Sequence, residues 1–368
     1  MDVLVVTVVH DPEDARIRHR QIATLRAAGH RVTLAAPFTE SGRPVPNNFP
    51  SIDIPRSQGM RRLSAIRTAR RLLKRRGREF DVVLLHDPEL VLSTIGLNLP
   101  GLVLDIHEDT AAAIRMKPWL PKLGRPLGIV LIRAIERHAE RRMSLILAEE
   151  SYVDRFSKSH PVIRNSVVAP LSLTTSIRRH VIYLGRLTVP RGALDLIELG
   201  RRLASDIEVH AIGPADPDCL AQIRAAHESG LVHWHGFMPN DQALAMLPGA
   251  LAGLSLLHDQ PNYARSRPTK IIEYMAHGLP VITTPNPVSA DLVTRHQCGV
   301  VVAFEDVEST EAAIRALGDA PATRQRMSDA GRAAVIANYS WEADADLFVR
   351  TLEKIAAENP AASSTDSP

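Results

Sequence analysis

Residues 182–203 read IYLGRLTVPRGALDLIELGRRL. An apolar run ends at Gly185, a short turn carries Arg186 and Arg191 to Gly192, and apolar residues then return at helical spacing. This is a strand, a glycine turn and a helix, the opening of a βαβ unit. The turn has chemistry of its own. Two guanidinium groups and the unpaired N–H groups of a helix start meet at one strand end, an arrangement that suits an oxyanion such as a diphosphate. A surface turn that is merely basic would show the same spacing.

The same alternation extends outward from this segment in both directions. Toward the N-terminus, strands are expected at DVLVVTVV (2–9), RVTLAAP (31–37), DVVLLH (81–86), LVLDIH (102–107) and SLILAE (144–149). Between the first two, IRHRQIATLRAAGH (17–30) places Ile17, Ile22, Leu25 and Ala28 on one helical face with Gly29 as the stop. A second series runs HVIYLG (180–185), IEVHAIG (207–213), LVHWHG (231–236), ALAGLSLL (250–257), LPVITT (279–284) and CGVVVAF (298–304). Strands alternating with helices predict parallel sheets, so the fold class is α/β with two doubly wound domains. The proline- and serine-rich stretch 159–180 is the expected hinge. The reading is one domain over 1–165, a second over 166–338, a terminal helix over 339–358 and a disordered tail over 359–368.

Composition narrows the function. At 368 residues the chain exceeds one ordinary core, and 45% hydrophobic with 23% charged residues describes a globular protein. An aromatic share of 4% argues against a protein that stacks bases, so no nucleic-acid partner is expected. Cys219 and Cys298 stand in unrelated contexts, which points to neither a disulfide framework nor a zinc site. A reducing cytoplasm is the expected compartment. VLVVTVV at 3–9 is short, lacks a basic flank and reads as a buried strand rather than a leader. No stretch approaches the roughly 18 apolar residues of a membrane span.

Ligands of a parallel sheet gather at the C-terminal ends of its strands. After the first strand, VVHDPEDARIRHR (8–20) has no glycine, which demotes a dinucleotide enzyme of the G-x-G-x-x-G type. It offers instead His10, Asp11, Asp14, Arg16 and Arg18, a polar rim suited to an acceptor or simply a solvated loop. HDPE occurs at 10–13 and again at 86–89, each time after a strand, and reads as two strand-end turns. His86 and His107 follow the third and fourth expected strands, both beside carboxylates. One histidine there is ordinarily structural; two on one sheet edge are candidates for substrate contact.

SRPTKIIEYMAHGLPVITT (266–284) supplies a further element. Pro268 and Thr269 start a helix, Lys270 and Glu273 lie near its first turn, Ile271, Ile272 and Met275 form its buried side, and Gly278 ends it. A carboxylate there complements the helix dipole, or accepts hydrogen bonds from the vicinal hydroxyls of a ribose.

Together LRAAGHRVTL, LLHDPEL, DIHE, YLGRLTVPRG and PTKIIEYMAHGLPVI resemble the family 4 (group 1) glycosyltransferases over residues 2–358. The resemblance implies the GT-B fold: two Rossmann-like domains facing a cleft, the acceptor on the first, a nucleotide-diphosphate sugar on the second, and the last helix crossing back to the first. It implies a co-substrate rather than a cofactor, transfer with retention of configuration, and charge stabilisation by side chains rather than a metal. The sequence DAD at 344–346 lies in the terminal helix and serves no such site. By position Arg186, with the Gly185 that precedes it, and Arg191 match the diphosphate turn, where arginine at 191 replaces the usual lysine. Glu273 matches the ribose-binding glutamate, with Thr269 and Lys270 beside it, and His107 the histidine facing the transferred sugar. The first glutamate of the family's pair would fall at Arg265, which leaves donor sugar identity to Asn262, Tyr263, Arg265 and Ser266. A non-hydrolysing nucleotide-sugar epimerase and a non-catalytic nucleotide-sugar-binding homologue are the alternative readings.

Residues 56–78 are basic without an acid, while Leu63, Ile66, Ala69, Leu72 and Leu73 recur at helical spacing. Such a helix lies on an anionic membrane surface, or packs inward as an ordinary domain helix. MKPWLPKLGRPLGIVLIRAIERHAERR (116–142), with Trp119, is a second candidate. The acceptor is then either lipid-linked or a small molecule, and the location cytoplasmic or peripheral on the inner face of the plasma membrane.

Overall fold

The computed structural model describes residues 1–107, 110, 114, 125–173, 178–261, 263–265 and 268–359, with the side chain of residue 265 excepted. Trp119, Asn262 and Ser266 lie outside the described residues. The chain divides into two compact units, Met1–Asn165 joined by the chain from Glu342 onward, and Ser166–Trp341.

In the first unit six parallel strands stand in the order β3-β2-β1-β4-β5-β6. They are β1 (Asp2–Val6), β2 (Arg31–Ala36), β3 (Ser51–Asp53), β4 (Val82–Leu85), β5 (Leu102–Ile106) and β6 (Ser144–Leu147). Strands such as VVLL of β4 are apolar on both faces because helices cover both sides. Sequence reading missed β3, whose three residues SID are half-buried or exposed and carry no apolar run.

The first connection is not a plain α-helix. Residues Ala15–Ile22 coil with π-type hydrogen bonding before α1 (Ala23–Ala27) begins. The Asp14 carboxylate accepts from the amides of Arg16 and Ile17 and so caps the start. Ile17, Ile22 and Leu25 are buried as the spacing predicts, whereas Ala28 is exposed, because the wide π turns shift the helical phase. Gly29 closes α1 in the left-handed region, with His30 N–H donating to Leu25 O and Gly29 N–H to Arg26 O.

Helices α2 (Arg62–Arg76), α3 (Val91–Thr94), α4 (Arg125–Arg142) and, from the other end of the chain, α12 (Trp341–Glu358) complete the unit. The basic helix α2 packs its Ala65, Ala69 and Leu73 into the core with Val6, Val83 and Leu85. The buried stripe differs from the expected one: Leu63 is exposed, and Ile66 and Leu72 are half-buried. Phe348, Leu352 and Ile355 are the buried side of α12.

The second unit repeats the architecture in the order β12-β11-β10-β7-β8-β9. Its strands are β7 (His180–Leu184), β8 (Glu208–Ile212), β9 (His233–Trp234), β10 (Ala252–Ser255), β11 (Val281–Thr283) and β12 (Gly299–Val301). Its helices are α5 (Ala193–Leu203), α6 (Leu220–Glu228), α7 (Asn240–Ala245), α8 (Thr269–Ala276), α9 (Pro287–Arg295), α10 (Val307–Asp319) and α11 (Pro321–Asn338). One sheet face packs Tyr183, Val209 and Leu254 against α5 residues such as Leu196 and Leu199. The other packs Ile182, Leu184 and Val281 against Ile271, Ile272 and Met275 of α8. In each sheet the strand order reverses beside the first strand, between β1 and β4 and between β7 and β10. Those two gaps are where a doubly wound sheet takes a ligand.

Candidate functional site

In the second unit the reversal point is built from Tyr183, Gly185, Gly213, Lys270 and Tyr274. The hydroxyl of Tyr274, on α8, accepts from Leu184 N–H at 2.7 Å and donates to Leu254 O at 3.1 Å, spanning the gap between β7 and β10. Beyond it the chain leaves β7 through Gly185 and crosses Gly213 at the end of β8. A Cβ on Gly213, whose φ is 140°, would sit 2.1 Å from Gly185 O, so only glycine permits this crossing.

Lys270 enters this gap from the first turn of α8. Its ammonium stands 3.6 Å above the Tyr183 ring and 3.9 Å from where a Gly185 Cβ would lie. The residue is 7% exposed, and its Nζ has no hydrogen-bond partner among the described residues. Burial, and then the neighbouring Arg191 guanidinium, hold the ammonium well below the usual lysine range despite the opposing pull of Glu273. Arg191 sits in the turn Val189–Arg191 just before α5. Glu273 is buried on the same helix. The second unit thus brings Lys270, Arg191, Glu273 and Gly185 to one strand end.

Arg186 is placed differently. Its side chain is 59% exposed and paired with Asp216, while its carbonyl accepts from the Tyr183 hydroxyl at 2.9 Å. Thr269 opens α8 and is half-buried, and Tyr263 is buried in the short turn Tyr263–Arg265. The Arg265 side chain falls outside what is described.

In the first unit the gap between β1 and β4 is closed by Asp87. Its Oδ2 accepts from Thr7 Oγ1 at 3.0 Å and from Val8 N–H at 2.6 Å, while Oδ1 lies 3.2 Å from His10 Nε2. His10 Nε2 is in turn 3.1 Å from His107 Nε2, and His107 Nδ1 lies 3.2 Å from Asp105 O. Burial, then the nearby His10, keep His107 from protonating and bring its pKa down to about 4, so the imidazole is neutral at physiological pH. Burial opposes ionisation of Asp105, but Arg16 overcomes it and holds the carboxylate well below its usual range. His10 and the Val8 N–H overcome burial at Asp87 in the same way.

Two residues expected to touch substrate are supports instead. Arg16 is 3% exposed; Nε and Nη2 each donate to Asp105 at 2.8 Å, and further bonds reach Ile163 O and Arg164 O. A buried arginine needs a buried carboxylate, and here the pair fixes β5 to the first connection. His86 is 2% exposed, with Nδ1 3.4 Å from Asp105, and lies beneath His107 rather than beside solvent. His10 and His107 are the imidazoles that reach the surface, at 14% and 9% side-chain exposure.

Sequence reading passed over Tyr183, Tyr274, Gly213 and Asp87, which hold the charged groups in place. Tyr183 and Tyr274 look like core residues in a window, and their hydroxyl partners lie far along the chain.

Residues 178–319 match the family model described as Glycosyl transferases group 1. Through this segment of its second unit the chain is similar to the group 1 glycosyltransferases. Across 316 residues the chain is 24% identical to MMP alpha-(1->4)-mannosyltransferase of Mycolicibacterium hassiacum, covering 79% of this chain and 74% of that one. Sucrose-phosphate synthase from Thermosynechococcus elongatus shares its fold with a TM-score of 0.71 at 16% identity, over 97% of this chain and 100% of the other. HepE of Anabaena, solved in complex with UDP-glucose, gives a TM-score of 0.67 at 13% identity, over 96% and 100%. Two Rossmann-like domains of the GT-B fold are therefore present.

Proposed function

We propose that this glycosyltransferase holds a nucleoside-diphosphate sugar at the β7–β10 reversal point and an acceptor at the β1–β4 reversal point. The observation that carries the donor half is Lys270, a buried ammonium with no hydrogen-bond partner among the described residues, next to the Arg191 guanidinium. A buried ammonium beside a half-buried guanidinium is repelled by it, and an entering diphosphate would remove that cost. HepE, a solved structure of the same fold, is bound to UDP-glucose, which favours the same donor class here.

In this reading the bond from the sugar's anomeric carbon to the β-phosphate oxygen breaks as the bond to the acceptor oxygen forms on the same face. The acceptor proton passes to the departing phosphate oxygen. Lys270 and Arg191 stabilise the charge that develops on the diphosphate, the role a divalent ion would otherwise take. Arg186 joins them on leaving Asp216. Glu273 accepts from the ribose hydroxyls, with Thr269 and Gly185 framing the site, while Asn262, Tyr263 and Arg265 distinguish the sugar. A neutral His107, braced by His10, is able to donate or accept a hydrogen bond toward a sugar hydroxyl without adding a cation. His10 continues toward the acceptor.

Isothermal titration against uridine- and guanosine-diphosphate sugars tests the donor half. Lys270→Met and Arg191→Met are each expected to weaken binding by about 10- to 100-fold, the worth of a hydrogen bond to a charged group. Arg295→Ala, on a remote exposed pair with Asp291, should leave it unchanged. Wild-type affinity in both site variants would remove the donor from this place.

We also read the acceptor as lipid-carried. Helix α4 exposes Leu127, Val130 and Leu131 at 74%, 63% and 57%, on one face, with exposed Arg137, Arg141 and Arg142 further along. Apolar side chains beside cations match an anionic lipid surface. The basic helix α2, whose inner side is packed, adds exposed Arg67, Arg71, Lys74 and Arg75. Both helices contact α3.

A further inference from the structure

The second sheet carries histidines that the donor site does not use. His180 and Glu208 are paired in register between β7 and β8, and His210 and His233 between β8 and β9. Residues two apart on a strand share a face. His180, Glu208, His210, His233 and His235 therefore stand together on one side of the sheet, near the starts of the strands and away from the Lys270 end.

On this side α7 is short and leaves part of the sheet uncovered. An open hollow of about 770 Å³ remains, lined by His180, Glu208, His210, His233 and Met246 among others. The His210 ring lies 4.9 Å from both the His180 and His233 rings and 5.2 Å from that of His235. One ligand atom each from Glu208, His210 and His233 falls within 4.8 Å of the other two.

We propose that Glu208, His210 and His233 bind a divalent transition-metal ion of the zinc class, with a fourth position open to the hollow. Two imidazoles and a carboxylate are a ligand set that zinc accepts in open sites. With zinc–ligand bonds of about 2.0–2.2 Å in tetrahedral geometry, ligand atoms lie roughly 3.3 Å apart. His210 Nε2 and Glu208 Oε2 are already 3.0 Å apart. His233 is half-buried, and one of its ring nitrogens lies within 4.8 Å of a ligand atom on each of the other two, so metal binding would need it to draw closer by about an ångström. His210 Nδ1 is 3.1 Å from His235 Nε2, which supplies the outer hydrogen bond that fixes the ring of a ligating histidine. The cysteines, from which the sequence argued against zinc, take no part: Cys219 and Cys298 are buried elsewhere in the unit.

The test uses the full chain, without an affinity tag and stripped with chelator, titrated with zinc chloride against a competing indicator dye. One zinc ion per chain is expected, with a rise in melting temperature. His210→Ala and Glu208→Gln should each weaken uptake at least about tenfold. Glu208 is largely exposed, so its variant separates loss of a ligand from misfolding. His107→Ala should bind zinc as the wild type does, which distinguishes this site from the His86, Asp105 and His107 group of the first unit. Failure to retain zinc at micromolar concentration overturns the proposal. So does uptake that survives both His210→Ala and Glu208→Gln, or that disappears in His107→Ala.

Discussion

Lys270 shows how one side chain converts burial into ligand chemistry. Its ammonium is flanked by the Arg191 guanidinium, the Glu273 carboxylate and the Tyr183 ring, and burial and Arg191 together lower its pKa from 10.5. A diphosphate would restore the ordinary value, so between the two values binding takes up a proton. Affinity for a nucleotide sugar is then expected to fall as pH rises through that interval, by at most about tenfold per pH unit. Titration at several pH values in the wild type and in Lys270→Met checks this, the variant losing the slope. A nucleotide sugar is the proper probe because a free nucleoside diphosphate titrates at its terminal phosphate. Lys270, Glu273 and Arg191 could be picked out as candidates in sequence because charged residues stand out at a strand end or helix start. Tyr274 was not, since its two backbone partners, Leu184 and Leu254, are brought together only by the pairing of β7 with β10. The buried pairing of Arg16 is hidden from the sequence for a similar reason. Nothing near position 16 announces that Asp105 will lie against it.

Among the elements, the two HDPE tetrapeptides repay comparison. They follow β1 and β4, which are neighbours in the sheet, and the reversal of strand order brings His10 of one beside Asp87 of the other. Their sequence identity does not produce that contact; the parallel register does. The first connection is secured in the same way, through Arg16 to Asp105 on β5 and through Gln21 Nε2 to the same carboxylate at 2.8 Å. Arg16→Met would strand a buried anion, and a loss of about 3–5 kcal/mol is expected, read as a shift of the urea midpoint. A midpoint within error of the wild type would show that the pair contributes nothing to holding this connection. Strand existence was legible wherever an apolar run of four or more residues occurred, as in β4 and β7. Strand β3 carries no such run, and its register with β2 comes from Leu34, Ala35 and Ala36 instead. The phase of α2 was misplaced because leucines outnumber alanines in it, yet small Ala65 and Ala69 are what let the helix approach the sheet.

For the molecule as a whole, the proposed lipid-carried acceptor has a physical signature. Flotation with vesicles containing anionic lipid is expected to carry the wild-type chain, and Leu127→Ser with Leu131→Ser should abolish it, since both side chains are more than half exposed and support no core. Binding should weaken with added salt as the arginines are screened. A chain that stays at the bottom of the gradient with every lipid composition would remove the membrane from the account. No helix among the described residues is long and apolar enough to cross a bilayer. By itself the sequence determined the two series of parallel strands, the glycine turn at 185–192 and the charged face of the helix at 269–276, because hydrophobic period and turn chemistry are local. Only the tertiary structure decided which charges meet: that Lys270 sits over Tyr183, that Arg16 serves Asp105, and that histidines from three strands converge. Those contacts join residues dozens of positions apart, and strand order and register, rather than spacing along the chain, set the distances between them.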